Sequence, residues 1–139
     1  MESAILRTLY RTYKRYERDA DFVDLTHQIE GFGGDSMWML AEELTAWPAL
    51  SEDAVRALED LLVTRQVRLT SVDHSYYLAL GVKSTLRLAT TVRVCAELTW
   101  LPCVLGEGLV KRCERCQALF DAFRGDLCEP CRKTARRRR

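Results

Sequence analysis

The sequence has little of what most enzyme sites and membrane segments require. It contains only two histidines, His27 and His74, in 139 residues, and no nucleophile, acid and base are brought together by spacing. No stretch approaches the roughly 18 uncharged apolar residues of a membrane helix. The first residues also lack the continuous apolar core of a secretory leader. We therefore expect a non-enzymatic, cytoplasmic protein without a membrane partner.

Cysteine, in contrast, is frequent, with six residues in the chain. Four of them form two Cys-x-x-Cys pairs separated by eleven residues: Cys113, Cys116, Cys128 and Cys131. This spacing, without a secretory leader, favours reduced and metal-bound thiolates over disulfides. Cys95 and Cys103 have no neighbouring partner, so we expect them to be buried as small hydrophobic residues.

The two cysteine pairs predict a tetrahedral site for Zn²⁺. Each pair directs two thiolates to one point, and the intervening connection is long enough to bring the pairs together. A segment of about 30 residues buries too little apolar surface to fold alone, so a metal would supply folding free energy. Local patterns place a short strand before Cys113, a returning strand at 118–120, and a helix that begins near Cys128.

The four cysteines allow three other interpretations. A thioredoxin-like dithiol at Cys128-Glu129-Pro130-Cys131 lacks a βαβ scaffold in the sequence. An iron centre of the rubredoxin kind uses the same four thiolates and remains an alternative, although zinc is the commoner occupant. A catalytic zinc needs an open coordination position, whereas four cysteines close the shell.

The net charge of +1 conceals a strong segregation of charge along the chain. Residues 1–18 carry five basic and two acidic side chains, and residues 19–60 carry one basic and eleven acidic ones. Residues 111–139 carry ten basic and four acidic side chains. A polyanion would therefore be attracted to the two ends and repelled by the acidic segment.

Hydrophobic periodicity predicts a mainly α fold. Apolar residues recur at three- and four-residue intervals over Ser3–Arg18, which predicts an amphipathic helix with Tyr10, Tyr13 and Tyr16 among its inward residues. Basic residues occupy its other side. Further helices are predicted at 19–30, from 35 or 36 to 46, after Ser51, and at 85–99.

This pattern divides the chain into two predicted domains. Residues 1–105 are expected to form a mainly helical domain. Residues 106–139 are expected to form a small zinc-binding module of treble-clef or zinc-ribbon type, with a basic C-terminal tail.

The segment 109–139 resembles the small prokaryotic and phage-type zinc fingers with the pattern Cys-x-x-Cys, Phe, Cys-x-x-Cys-Arg and a run of arginines. It is more distantly similar to the bacterial Cys-Gly-Asn-Arg fingers that follow a helical domain in transcriptional regulators. Here Arg132-Lys133-Thr134 follows Cys131, and Gln117 stands where many such knuckles have glycine. The resemblance implies a treble-clef finger with a nucleic-acid-binding role.

The basic tail supplies the candidate nucleic-acid contacts. Six of the last eight residues are basic, namely Arg132, Lys133, Arg136, Arg137, Arg138 and Arg139. Such residues contact phosphates and position a protein without reading sequence. The sequence thus favours a zinc protein that binds DNA or RNA and regulates transcription. The alternative is an adaptor whose acidic segment, residues 19–60, binds a basic protein of the transcription machinery while the finger is structural.

Overall fold

The computed structural model describes residues 1–121 and 127–137. Within them the chain forms five helices and eight strands. The helices are α1 Glu2–Tyr16, α2 Phe22–Gln28, α3 Glu52–Val63, α4 His74–Ala79 and α5 Glu129–Arg137. The strands are β1 Gly33–Ala41, β2 Leu44–Leu50, β3 Val67–Ser71, β4 Arg87–Leu88, β5 Thr99–Trp100, β6 Cys103–Glu107, β7 Val110–Arg112 and β8 Leu119–Asp121.

The prediction of a mainly α fold is wrong, because the strands form three sheets beside the helices. The largest sheet has the order β1-β2-β5-β4, with β1 and β2 antiparallel and the pairs of β5 parallel. Two antiparallel pairs, β3-β6 and β7-β8, complete the described sheets. The fold is therefore mixed α and β.

The helix predicted from residue 35 or 36 to 46 is instead the β1-β2 hairpin. Burial alternates in β1, where Trp38 is buried between the exposed Met37 and Met39. This is the two-residue period of a strand with one covered face. The apolar residues at 37, 40, 41 and 44 also match a helical spacing, and a short apolar pattern cannot separate the two structures. Trp38 pairs with Trp47 across the hairpin. This pairing favours two strands over a helix.

The long helix predicted over residues 85–99 is also wrong. This stretch contains the two short strands β4 and β5 joined by irregular backbone. Within it Val92 is exposed, whereas Cys95 is buried. The segment is rich in threonine and valine, whose branched side chains disfavour helix. An ion pair of 2.9 Å between Arg87 and Glu97 joins its two ends.

Three of the predicted helices are confirmed as α1, α2 and α3. Ser51 caps α3 as expected, because its Oγ accepts a hydrogen bond of 3.1 Å from the Ala54 N–H. The buried side of α1, however, differs from the prediction. Thr8 and Thr12 lie inward with Ile5 and Leu9, whereas its three tyrosines lie outward.

A cluster of aromatic side chains joins the helices to the large sheet. Trp47 stacks on Phe22 with a centroid distance of 5.1 Å and contacts the rings of Tyr77 and Trp100 at 5.2 and 5.9 Å. The Tyr77 hydroxyl and the Trp100 indole N–H of this cluster are paired with the backbone. The Tyr77 hydroxyl donates to the Cys103 carbonyl at 2.7 Å and accepts from the Phe22 N–H at 3.1 Å. One buried side chain thereby connects α2, α4 and β6.

The chain enters its C-terminal segment from β6 through Gly108. The Gly108 N–H donates to the Gln66 carbonyl at 2.8 Å, and the Val110 N–H donates to the Arg65 carbonyl at 3.1 Å. A Cβ atom at residue 108 would collide with the Arg65 carbonyl, so only glycine fits there. The start of β7 is consequently held against the loop that follows α3. The division into domains 1–105 and 106–139 stays a prediction.

Replacing Tyr77 with phenylalanine should destabilise the protein. The change leaves the Phe22 N–H and one hydrogen bond of the Cys103 carbonyl without their buried partner. We expect Tyr77→Phe to lower the free energy of unfolding by about 1–3 kcal/mol, measured by urea titration. Tyr13→Phe is the matched control, because that side chain is 59% exposed and should change stability by less than about 0.5 kcal/mol. Equal stability of the two variants would contradict the bridging role.

Candidate metal centre

The four cysteines of the two Cys-x-x-Cys pairs come together in the structure. Their four Sγ atoms all lie within 4.8 Å of one another. The sulfurs of Cys116 and Cys128, which belong to different pairs, are 3.5 Å apart. The convergence predicted from the spacing is therefore present, and the thiols are placed to hold one metal ion.

The first pair lies on a tight turn between β7 and β8. The Cys113 N–H donates to the Ala118 carbonyl at 2.8 Å, and the Gln117 N–H donates back to the Cys113 carbonyl at 3.0 Å. These bonds close the chain around the sulfurs of Cys113 and Cys116. Gln117 adopts the left-handed conformation with φ of 65°. This explains why many such knuckles have glycine at the position, since a Cβ atom is disfavoured there.

The second pair lies at the beginning of α5. Cys128 directly precedes the helix, and its carbonyl accepts the hydrogen bond of 2.9 Å from the Arg132 N–H. Cys131 lies in the first turn, which also accommodates Pro130 because a proline there breaks no helical hydrogen bond. The positive end of the helix dipole favours thiolates at this position. The short strands and the final helix match the local prediction from sequence.

The pKa values of Cys113 and Cys131 are shifted in opposite directions. Burial opposes ionisation of Cys113, but the N–H groups of Cys116, Cys128 and Arg115 outweigh it and lower the pKa of Cys113 to about 6. Burial raises the pKa of Cys131 to about 12, and hydrogen bonds with the neighbouring thiols add to the effect. Like charges this close repel, so all four groups ionise together only with a cation among them.

The donor set and its dimensions fit zinc. A regular tetrahedron with zinc–sulfur distances of about 2.3 Å separates the sulfurs by roughly 3.8 Å, which agrees with the observed cluster. Thiolates are ligands that zinc prefers, and four of them leave no open position. Bound zinc would supply charge neutralisation and a covalent link between the hairpin and α5. An arrangement of this kind is structural.

Burial supports the same conclusion. Among residues 109–121 and 127–135, only Cys113 and Cys128 are buried. Phe120, which was expected in an apolar cluster beside the metal, is only half-buried. Leu119 is 42% exposed. The described part of this segment therefore has no apolar core besides its ligand cysteines.

Comparison with known proteins identifies no relative. No family model matches the chain. No curated protein and no solved structure matches it significantly either. The geometry of the cysteines consequently carries the functional interpretation alone.

The predicted nucleic-acid contacts lie on α5 or beyond it. Arg132 is half-buried, and Lys133 is exposed with its Nζ 3.3 Å from Glu129 Oε1. Arg136 and Arg137 belong to the helix by their backbone. The last two predicted contacts, Arg138 and Arg139, lie outside the described residues, as does the whole of 122–126.

The acidic segment 19–60 is partly engaged within the fold. Asp19 pairs with Arg68 at 2.9 Å, and Asp24 pairs with Arg18 at 2.7 Å. Asp21 caps α2 by accepting the Asp24 N–H. These three carboxylates therefore hold structural contacts within the fold.

The other residues singled out from the sequence do not join the cysteine cluster. Cys95 and Cys103 are buried as expected, with exposed fractions of 7% and 1%. The His74 ring lies edge-on to Trp100 at 6.0 Å between centroids. In the described ranges no helix combines the length and the apolar character needed to cross a membrane.

One feature near the site was missed from sequence. A groove of about 770 Å³ separates the cysteine-bearing hairpin from α1. Leu6 and Tyr10 line one side, and Lys111 and Arg112 line the other. Spacing placed Tyr10 in the core, so nothing in the periodicity pointed to this groove. The sequence signal that could have revealed it is the pair Thr8 and Thr12. These two residues lie on the inner side of α1, where the spacing predicted the tyrosines.

The left-handed conformation of Gln117 makes this position sensitive to side-chain shape. We expect Gln117→Val to weaken metal binding by about 5- to 30-fold, because a β-branched residue with positive φ is strained by roughly 1–2 kcal/mol. Gln117→Gly should bind as tightly as the unmodified protein, since glycine adopts this conformation freely. Competition with a chromophoric chelator gives both affinities. Equal binding by the two variants would contradict a constrained turn.

Loss of one ligand should release the metal. Cys116→Ser removes an exposed sulfur, so the variant should retain much less than one metal ion per chain in elemental analysis. Cys95→Ala is the matched control and should keep full metal content, because Cys95 lies outside the cluster. Acidification should also release metal from the unmodified protein, since protons compete for thiolates. Full metal content in Cys116→Ser would exclude the four-cysteine site.

Proposed function

We propose that this protein is a non-enzymatic zinc protein of the treble-clef type that binds nucleic acid and acts in transcription regulation. One observation carries the proposal. The helix that supplies Cys131 in its first turn continues directly into basic residues, beginning with Arg132 and Lys133. A metal site at the start of α5 would therefore orient the basic residues of this helix relative to the cysteine cluster.

The zinc part of the proposal rests on the four thiols. A closed tetrahedral shell of cysteines is the common form of structural zinc. The absence of other buried residues in the described part of 109–137 gives the metal a folding role. An iron centre uses the same ligands, and elemental analysis of the purified protein distinguishes the two metals.

The nucleic-acid part rests on the arrangement of positive charge. The basic residues of α5 form two adjacent pairs that are one helical turn apart, at 132–133 and 136–137. Their backbone positions therefore lie along one side of the helix. Arginine suits phosphate because its planar guanidinium donates two parallel hydrogen bonds. The helix would present these donors to the backbone of DNA or RNA. Contacts of this kind position the protein and leave sequence recognition to other groups.

Regulation of transcription is the most specific element of the proposal. It follows from the resemblance of 109–139 to fingers that accompany regulators. Selection of bound duplexes from a random pool tests it directly. An enriched sequence is the expected result, and an unenriched pool would restrict the protein to non-specific binding.

Replacing the basic residues of the tail with glutamine should reduce affinity and its dependence on salt. The variant carries glutamine at Arg132, Lys133, Arg136, Arg137, Arg138 and Arg139. Binding to a labelled duplex, measured from 50 to 200 mM salt, should lose up to about five units of slope in log K against log salt, since each phosphate contact contributes about 0.9. Substitution is preferable to truncation, because the Arg132 N–H bonds to the carbonyl of a candidate ligand.

A matched control removes positive charge elsewhere. Glutamine at four exposed basic positions outside the tail should leave the salt slope unchanged: Arg56, Lys83, Arg87 and Arg93. Metal content must stay the same in both variants. A duplex affinity that does not depend on salt, or that survives replacement of the tail, would overturn this part of the proposal.

A further inference from the structure

Three tyrosines form an exposed surface on α1. Tyr10, Tyr13 and Tyr16 have exposed fractions of 53%, 59% and 55%. They are separated by three residues each, so consecutive rings are neighbours on the helix. We refer to these three residues as the tyrosine face.

The fold does not require these rings for its core. The inner side of α1 is filled by Ile5, Thr8, Leu9 and Thr12. The two threonine hydroxyls donate to carbonyls four residues earlier, each at 2.8 Å, so their burial leaves no unpaired polar group. Large aromatic groups left on an exposed helix surface are typical of interaction sites. The tyrosine face is therefore suited to contact another molecule.

Cations lie among the rings. The Lys14 ammonium is 5.6 Å from the centre of the Tyr10 ring, and it donates a hydrogen bond of 3.3 Å to the Tyr10 hydroxyl. The guanidinium groups of Arg15 and Arg18 lie 5.3 and 5.2 Å from the Tyr16 ring. Residues 1–18 carry five basic side chains against two acidic ones. The surface is therefore both aromatic and positively charged.

The tyrosine face is continuous with the groove beside the metal centre. Tyr10 lines that groove opposite Lys111 and Arg112 of β7. Three carboxylates, Glu2, Glu107 and Glu114, also line it, so the groove itself is mixed in charge. The favourable region for a polyanion is the outer surface of α1, where Arg7, Arg11 and Lys14 are exposed.

We propose that the tyrosine face binds single-stranded nucleic acid, with unpaired bases stacked on the rings and phosphates contacted by Arg7, Arg11 and Lys14. Exposed aromatic rings beside cations are the general means of holding single strands, because every base has a face that can stack. Bases in a duplex are already stacked on each other and do not offer that face. A membrane-binding helix would separate its apolar and basic sides, whereas rings and cations are mixed on α1.

The inference rests on the proposed nucleic-acid-binding function but assigns it a second surface with a different preferred ligand. The test uses the full-length, metal-loaded protein and two labelled probes of one sequence, a single strand of twelve nucleotides and its duplex. Tyr10→Ala combined with Tyr13→Ala should weaken single-strand binding by roughly 25-fold, since each stacked ring contributes about fivefold or more. Duplex affinity should change by less than about twofold, and the salt slope should stay the same because no cation is removed.

Two controls separate stacking from other effects. Tyr10→Phe combined with Tyr13→Phe keeps the rings and should bind the single strand within about twofold of the unmodified protein. Leu78→Ala removes an apolar side chain of similar exposure, 49%, from α4 and should have no effect on either probe. Thermal unfolding verifies that each variant is folded, as expected for changes at exposed positions.

The results that would overturn this inference differ from those that would overturn the proposed role of the basic tail. Unchanged single-strand affinity in the double alanine variant would overturn the inference, whatever the tail variant does. An equal loss on the duplex would also overturn it, because a duplex offers no base to the rings. If the unmodified protein binds neither probe, the inference is overturned. The partner of the tyrosine face would then be an acidic protein. Loss of single-strand binding in the double alanine variant would support the inference. If the variant with glutamine in the tail also keeps its duplex affinity, the proposed role of the tail is rejected.

Discussion

The C-terminal segment depends on holding four sulfur atoms at one point. Its strands β7 and β8 have three residues each, and its described buried residues are Cys113 and Cys128 alone. The apolar burial of these described residues offsets little of the conformational entropy lost when such a segment orders. Thiolates packed together also repel one another. A divalent cation among the thiolates would convert this repulsion into attraction and would link the hairpin to α5.

The rest of the molecule determines where this segment lies. The aromatic cluster around Trp47 joins α2, α4 and the large sheet, and the β3-β6 pair carries the chain toward Gly108. Backbone hydrogen bonds from Gly108 and Val110 to the loop after α3 fix the start of β7. Because α1 packs on β6, this attachment brings Tyr10 beside Lys111 and Arg112. Residues of α1 and β7 thus line one groove of mixed charge.

Local signals in the sequence predicted those elements that are determined by neighbouring residues. Ser51 and the acidic residues after it specify the start of α3, and the apolar spacing specifies α1. The same reasoning failed for β1 and β5. The residues at 37, 40, 41 and 44 fit a helix and a strand equally well, and only the distant contacts of Trp38 and Trp47 separate these possibilities. Tyr10, Tyr13 and Tyr16 were misplaced for a related reason, since hydrophobicity alone cannot show that Thr8 and Thr12 satisfy their hydroxyls within the helix.

The sequence by itself determined the metal-binding cysteines, because two Cys-x-x-Cys pairs carry their geometry in local spacing. It also determined the short strands beside the first pair and the helix after the second. Tertiary structure decided the sheets, the outward direction of the tyrosines and the groove between α1 and the cysteine-bearing hairpin. These features depend on contacts between residues far apart in the chain, such as the hydrogen bonds of Tyr77 to Phe22 and Cys103. Such contacts have no fixed spacing, and a linear pattern therefore does not record them.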